Sequence, residues 1–225
     1  MRPFRDLEPL SERALADVLA ATRPRRFARG EVLFHSGDPG DTLHLVRRGR
    51  VMVYRTIGTG QRAVVGFLAA GDVVGEVALF SEGVIGRRSA TVEALEPTET
   101  LVLGRERFEE LRTRHPALAD VFLRLLSKRV RALDELLTEA LLAPAEVRVR
   151  RRLAALAGQI AGGSGDAVVP LTQDELAHAA RTSRATTNRA LREAERDGIL
   201  ALARGQIVVR DRNRLEARDR LVGWD

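Results

Sequence analysis

A short segment of this chain carries the groups needed to hold a sugar bearing an anionic phosphate. The run Val74-Gly75-Glu76-Val77-Ala78-Leu79, with Arg88-Ser89-Ala90 after it, sets a turn glycine, a carboxylate, a guanidinium and a hydroxyl between strand-like stretches. Backbone N–H groups near Gly75 and after Arg88 can cradle phosphate oxygens. Arg88 offers the same oxygens a planar, charge-assisted fork. Glu76 can accept a hydrogen bond from a ribose hydroxyl, as acidic residues do in other nucleotide sites. Taken singly, Gly-Glu and Arg-Ser are common dipeptides. The information lies in their order and in the strands around them.

A second set of residues has the chemistry of duplex reading. In Leu171-Thr172-Gln173-Asp174-Glu175, Thr172 is a helix N-cap and Glu175 completes a capping box. Thr182-Ser183-Arg184 then starts another helix through Thr187, Arg189, Leu191 and Ala194. Two short helices joined by a tight turn predict a helix-turn-helix. Near its N-terminus the second helix carries Ser183, Arg184, Thr186, Thr187, Asn188 and Arg189. Arginine suits guanine, asparagine suits adenine, and serine or threonine suits either base or a phosphate. Asp197-Gly198 closes this helix, and Leu200 to Val209, turning at Arg204-Gly205, reads as a two-stranded wing.

These sites need a scaffold. From about Arg25 to Leu103, β-branched runs alternate with glycine turns (Gly30, Gly37, Gly40, Gly49, Gly58, Gly60, Gly66, Gly71, Gly75, Gly83). About eight short strands predict a β-roll or jelly roll. Before it, Leu10, Leu15, Val18 and Leu19 mark an amphipathic helix rather than a signal peptide. After it, a long helix is predicted from Pro116 to Leu142. Ala119, Leu123, Leu126, Val130, Leu133, Leu137 and Ala140 form a heptad stripe, and Leu118, Val121, Phe122, Leu125, Leu136 and Leu141 form a second apolar line. One line suits the roll and the other a twofold-related copy of the chain, so Leu123, Leu126, Val130, Leu133 and Leu137 are expected at a dimer interface. Pro144 ends this helix. Leu142-Ala143-Pro144 is the expected hinge, Val147 to Ile160 a further helix, and Gly162 to Gly165 a loop. The fold class is therefore α+β: residues 1–115 as a roll with its helix, 116–143 as dimerisation helix and hinge, 144–225 as a winged helix-turn-helix.

Composition narrows the function. The 225 residues are 44% hydrophobic and 30% charged, with net charge +6. Residues 145–225 hold 15 basic and 11 acidic residues, the first 144 hold 22 and 20, so the C-terminal part is the more basic per residue. That favours a nucleic-acid partner over an acidic protein. Cysteine is absent, which removes disulfide, zinc-thiolate and iron–sulfur chemistry and suits a reducing cytoplasm. No apolar stretch is long enough to span a membrane. His35, His44, His115 and His178 lack metal-ligand spacing and read as surface or turn residues, so no metal is expected. No nucleophile–base pair or paired-carboxylate motif argues for an enzyme.

The Gly75–Leu79 and Arg88–Ala90 segments, continued by Thr91-Val92-Glu93-Ala94, resemble the phosphate-binding cassette of cyclic-nucleotide-binding domains. With the helix and the helix-turn-helix in the same order, nearly the whole chain resembles the CRP/FNR family of bacterial transcription regulators. The resemblance implies a cytoplasmic homodimer on a near-palindromic duplex operator, with RNA polymerase as a further partner and cyclic AMP as effector. It implies that Glu76 holds the ribose 2′-hydroxyl, and that Arg88 and Ser89 hold the cyclic phosphate with help from Gly75 and Ala90. Leu133 and Asp134 align with the family's adenine-facing positions. Thr172, Ser183, Arg184, Thr186, Asn188 and Arg189 are the expected DNA contacts.

The chain also departs from the family's pattern. Ala185 stands where cyclic AMP receptor proteins place a recognition-helix glutamate, and Arg181 stands where the turn often has glycine. Leu133 and Asp134 replace a hydroxyl pair. Two alternatives to cyclic AMP therefore stay open: another ligand, or DNA binding without effector. A cyclic-nucleotide-regulated enzyme subunit is the remaining alternative, and the C-terminal part is short for a catalytic domain.

Overall fold

The computed structural model describes residues 4–58, 60–80, 86–160 and 166–220. The expected turn at Gly83 and the Gly162 to Gly165 loop lie outside them. The chain divides into two compact units, Met1–Arg55 with Leu68–Ala132, and Thr56–Phe67 with Leu133–Asp225.

The first unit opens with α1 (Glu12–Ala20), whose first turn is capped by the Ser11 side chain accepting from Ala14 N. The strands follow in chain order: β1 (Arg23–Phe27), β2 (Val32–Phe34), β3 (Thr42–Arg48), β4 (Arg50–Ile57), β5 (Gln61–Ala69), β6 (Val73–Val74), β7 (Thr91–Ala94) and β8 (Thr98–Gly104), of which the end of β4 and most of β5 fall in the second unit. One antiparallel sheet has the order β1-β8-β3-β6, and in the other β7 lies between β2 and β4. Phe27, Leu33, Val46, Val51, Val74, Val92 and Ala94 fill one core. The helices α2 (Arg105–Arg114) and α3 (Ala117–Leu142) complete a second with α1, where Leu10, Val18, Leu43, Leu45, Leu103, Phe108, Leu118 and Phe122 pack. β3 is buried on both faces from Leu43 to Val46, with Leu43 and Leu45 in one core and Val46 in the other. The α2 helix was not expected. It is short and mostly charged, and only Phe108 and Leu111 are buried in it.

Burial on both faces of β3 also corrects the reading of His44. It is not a surface residue but 2% exposed, its Nδ1 3.1 Å from Thr100 Oγ1, with Phe27 and Phe34 against its ring. Burial, helped by the Arg88 and Arg25 charges, lowers its pKa to about 3. The unfolded chain takes up this proton below about pH 6.5 and the folded one only near pH 3, so stability falls as pH drops through that interval. The slope approaches about 1.4 kcal/mol per pH unit for one such proton. Urea unfolding between pH 7 and pH 4 should show this loss, and His44→Gln should flatten it. An unchanged slope would assign the acid sensitivity to other groups.

Leu118, Val121 and Phe122 on α3 face the first unit's core, with Leu125 partly buried against it. Leu141 does not join them: it is 74% exposed. From Leu133 onward α3 belongs to the second unit. The side chain of Leu136 is not described.

In the second unit, α4 (Ala145–Ile160) begins directly after Pro144, whose carbonyl accepts Arg148 N. Strand β9 (Ala167–Val169) leads to α5 (Gln173–Ala179) and α6 (Arg184–Arg196). The wing strands are β10 (Leu200–Ala203) and β11 (Gln206–Val209), followed by α7 (Arg212–Arg220). The wing is wider than expected, because β9 adds a third strand in the order β10-β11-β9. Leu153, Leu156, Leu176, Leu191, Ile207 and Leu215 are buried in this unit. It also includes Thr56–Phe67, where Arg152 of α4 donates to the carbonyls of Val64 and Val65, and Phe67 N donates to Gln159 Oε1.

Among the described residues, no helix is long and apolar enough to cross a membrane, and no cluster of His, Cys, Asp and Glu could hold a metal ion.

Candidate functional site

The cassette is built where β6 turns into a short 3-10 helix, Glu76–Leu79. Gly75 makes that turn at φ 89°, a left-handed conformation that favours glycine. A Cβ there would sit 2.4 Å from Arg88 Nη1, so the glycine also makes room for the guanidinium. Gly40 performs a similar service at the neighbouring loop, where a Cβ would lie 2.1 Å from the Ala78 Cβ.

Glu76 and Arg88 are both buried, at 0% and 5% exposure. Arg88 Nη1 donates to the carbonyls of Thr42 (2.6 Å) and Gly75 (3.0 Å), and Nη2 donates to Thr42 Oγ1 (2.7 Å). Its guanidinium carbon lies 4.1 Å from the centre of the Phe34 ring. Burial lowers its pKa, opposed by the charges of Asp41, Asp38 and Glu76. Glu76 Oε1 accepts from Arg129 Nη1, and Arg129 Nη2 reaches the Val73 carbonyl at 2.9 Å. Burial raises the Glu76 pKa, and Arg129 works against that rise. One atom of each residue, Glu76 Oε2 and Arg88 Nε, is buried without a hydrogen-bond partner. Such atoms are costly in a finished core; Arg105 Nε, Arg152 Nε and Thr187 Oγ1 share this state, and of these residues only Glu76 and Arg88 combine it with the expected cassette positions. Ser89 is exposed and Ala90 half-buried beside them.

Sequence reasoning missed two arginines here. Arg129 follows Leu118, Val121, Phe122 and Leu125 on the core-facing stripe of α3, and a charge on that stripe was the available signal. Arg105 donates to the carbonyls of Leu79, Ala78 and Gly40, tying the 3-10 helix to the start of α2. Nothing local in the sequence announces it. Leu133 and Asp134 are exposed on the part of α3 that belongs to the second unit.

In the second unit, the capping box at Thr172 and Glu175 is complete, with both reciprocal hydrogen bonds formed. Ser183 caps α6 by accepting from Thr186 N. Between α5 and α6, Arg181 adopts φ 51°. Arg148 of α4 offsets part of this cost, donating to the carbonyls of Ala143, Ala180 and Arg181. Arg181→Gly should therefore raise stability by about 0.5–1 kcal/mol in urea unfolding. A destabilised variant would show that the Arg181 side chain, not its backbone, matters.

The expected DNA contacts separate into groups. Ser183, Arg184 and Arg189 are exposed and Thr186 half-exposed. Arg184 lies 3.3 Å from Asp174, and Arg189 donates to Glu146. Asn188 is half-buried and donates to Gln173 Oε1 at 2.9 Å, so it also ties α6 to α5. Thr187 is fully buried, which removes it from the reading surface. Thr172 has a structural duty as the cap. On α3, Leu123, Val130, Leu133 and Leu137 are 51–64% exposed within the single chain, and Leu126 is half-buried.

Comparison with known proteins matches residues 24–115 to the cyclic nucleotide-binding domain and residues 147–218 to the Crp-like helix-turn-helix domain. The chain is similar to the cyclic AMP receptor protein of Thermus thermophilus, 35% identical over 88% of this chain and 89% of that one. It is 27% identical to a CRP-like cAMP-activated global transcriptional regulator of Mycobacterium tuberculosis, over 96% of each. The fold is that of the c-di-GMP responsive global regulator CLP of Xanthomonas campestris, with TM-score 0.72, 23% identity, and 89% of this chain and 99% of that one covered.

Proposed function

This chain belongs to the CRP/FNR family of bacterial transcription regulators, and from that premise we propose that it is a cytoplasmic homodimer whose DNA binding is gated by a cyclic nucleotide, cyclic AMP first. The observation that carries the proposal is the pair of buried, unpartnered atoms on Glu76 and Arg88. A ribose hydroxyl suits the free carboxylate oxygen, and a cyclic phosphate suits the Arg88 Nε–H with the Ser89 and Ala90 backbone beside it. Cyclic AMP is named because the Thermus and Mycobacterium relatives carry it in their names. Leu133 packs on the base and Asp134 accepts from its exocyclic amine.

The exposed leucines of α3 suit a twofold-related copy. Paired α6 helices then meet half-sites about one helical turn apart on a near-palindromic operator. RNA polymerase is the expected partner at the promoter. Effector binding acts through the Leu142-Ala143-Pro144 hinge only to the extent that the ligand prefers the DNA-competent state.

A second reading has a specific observation in its favour. The terminal nitrogens of Arg88 already serve Thr42 and Gly75, and Glu76 already holds Arg129. A cassette so largely satisfied suits a regulator that binds DNA without effector. Isothermal titration of cyclic AMP, and separately cyclic GMP, into nucleotide-stripped protein separates the two readings. Saturable heat from cyclic AMP supports gating. No heat from either, with the protein folded, supports the effector-free reading.

A further inference from the structure

Both outward arginines near the start of α6 meet a carboxylate from another helix: Asp174 of α5 beside Arg184, and Glu146 of α4 beside Arg189. The next arginine on that helix, Arg192, pairs instead within α6, to Glu195. The Arg189 side chain is 63% exposed and Glu146 32%, and an ion pair in that setting adds little to folding. Its effect falls on Arg189. A free arginine samples many rotamers, whereas guanine presents O6 and N7 to a fork that must arrive in one orientation. Glu146 engages one of the guanidinium's five N–H donors and leaves the rest for a base edge.

We propose that Glu146 is a positioning residue for DNA readout, holding Arg189 in the orientation that selects guanine. The proposal rests on the reading of Arg189 as a base contact. Glu146 stands in the first turn of α4, where its own backbone N–H and then Arg189 hold its pKa below the usual carboxylate range. It is therefore ionised whenever the pair is needed. A fixed carboxylate beside the reading surface also repels phosphates, so it lowers affinity for bulk duplex while sharpening choice at one base pair. Glu146 lies outside the helix-turn-helix proper, and no feature of α5 or α6 names it.

The test is selection of a random duplex library, about two helical turns long, by the full chain at fixed salt, with and without cyclic AMP. Wild type, Glu146→Gln, Glu146→Ala and Arg189→Ala are compared, each checked for an unchanged unfolding midpoint. Arg189→Ala is expected to lose preference at one G·C pair per half-site. Both Glu146 variants are expected to lose preference at that same pair by about fivefold to tenfold. Their preferences elsewhere should stay unchanged and their binding to bulk duplex should tighten. If Arg189→Ala loses the preference and both Glu146 variants keep it, the positioning role is overturned and the pair is a surface contact only. If Arg189→Ala keeps every preference, the base-contact reading of Arg189 falls, and the role of Glu146 with it.

Discussion

Arg88→Ala should lose cyclic AMP binding by about a hundredfold or more, the equivalent of one or two charge-assisted hydrogen bonds to a phosphate. It should also destabilise the protein, because the guanidinium is a structural donor as well as the proposed phosphate contact. Truncation leaves the carbonyls of Thr42 and Gly75 and the Thr42 hydroxyl without their donor and empties the space against Phe34. A cost of about 1–2 kcal/mol follows for half-buried acceptors left without their donor. The two effects can be separated. Arg88→Lys keeps the charge and one carbonyl contact but not the planar fork, so it should recover much of the stability and little of the affinity. Calorimetric titration of each variant well below its unfolding midpoint measures this. Full affinity in Arg88→Ala would remove Arg88 from the phosphate site.

The second large effect concerns α3. Leu137→Asp should weaken the proposed dimer by about a hundredfold or more, since burying an unpaired carboxylate costs roughly 3 kcal/mol at least. Leu137 is 51% exposed within the single chain, so the substitution disturbs the protomer's own packing less than a change in either core would. Sedimentation across a concentration series reads the dissociation constant directly. A variant that stays dimeric at wild-type concentrations would place the interface elsewhere than the Leu123–Val130–Leu137 stripe.

Much of this architecture was legible because the signals are local. Glycine turns and β-branched runs announced the roll, the capping box at Thr172 announced α5, and the Arg204-Gly205 turn announced the wing. The non-glycine turn at Arg181 was readable too, and its φ of 51° agrees. What the sequence hid was long-range pairing. Arg129 reaches Glu76 and Arg105 reaches the carbonyls of Ala78 and Leu79, and no spacing rule links such positions. For the same reason β9 was missed, since a three-residue strand becomes visible only when β11 pairs with it. His44 was misread because alternation on one strand does not reveal that both of its faces are covered. In the helix-turn-helix, type and position singled out Arg184 and Arg189 as expected contacts but said nothing of the carboxylates that meet them.

The central claim is that nucleotide binding gates DNA binding, and it is tested most directly by titrating nucleotide-stripped protein into a selected duplex with and without saturating cyclic AMP. Duplex affinity should rise at least about tenfold with cyclic AMP, the scale of an ordinary allosteric coupling, and stay at its basal value when Arg88→Ala is titrated beside it. Superimposable curves for the wild-type protein, with and without nucleotide, would contradict it.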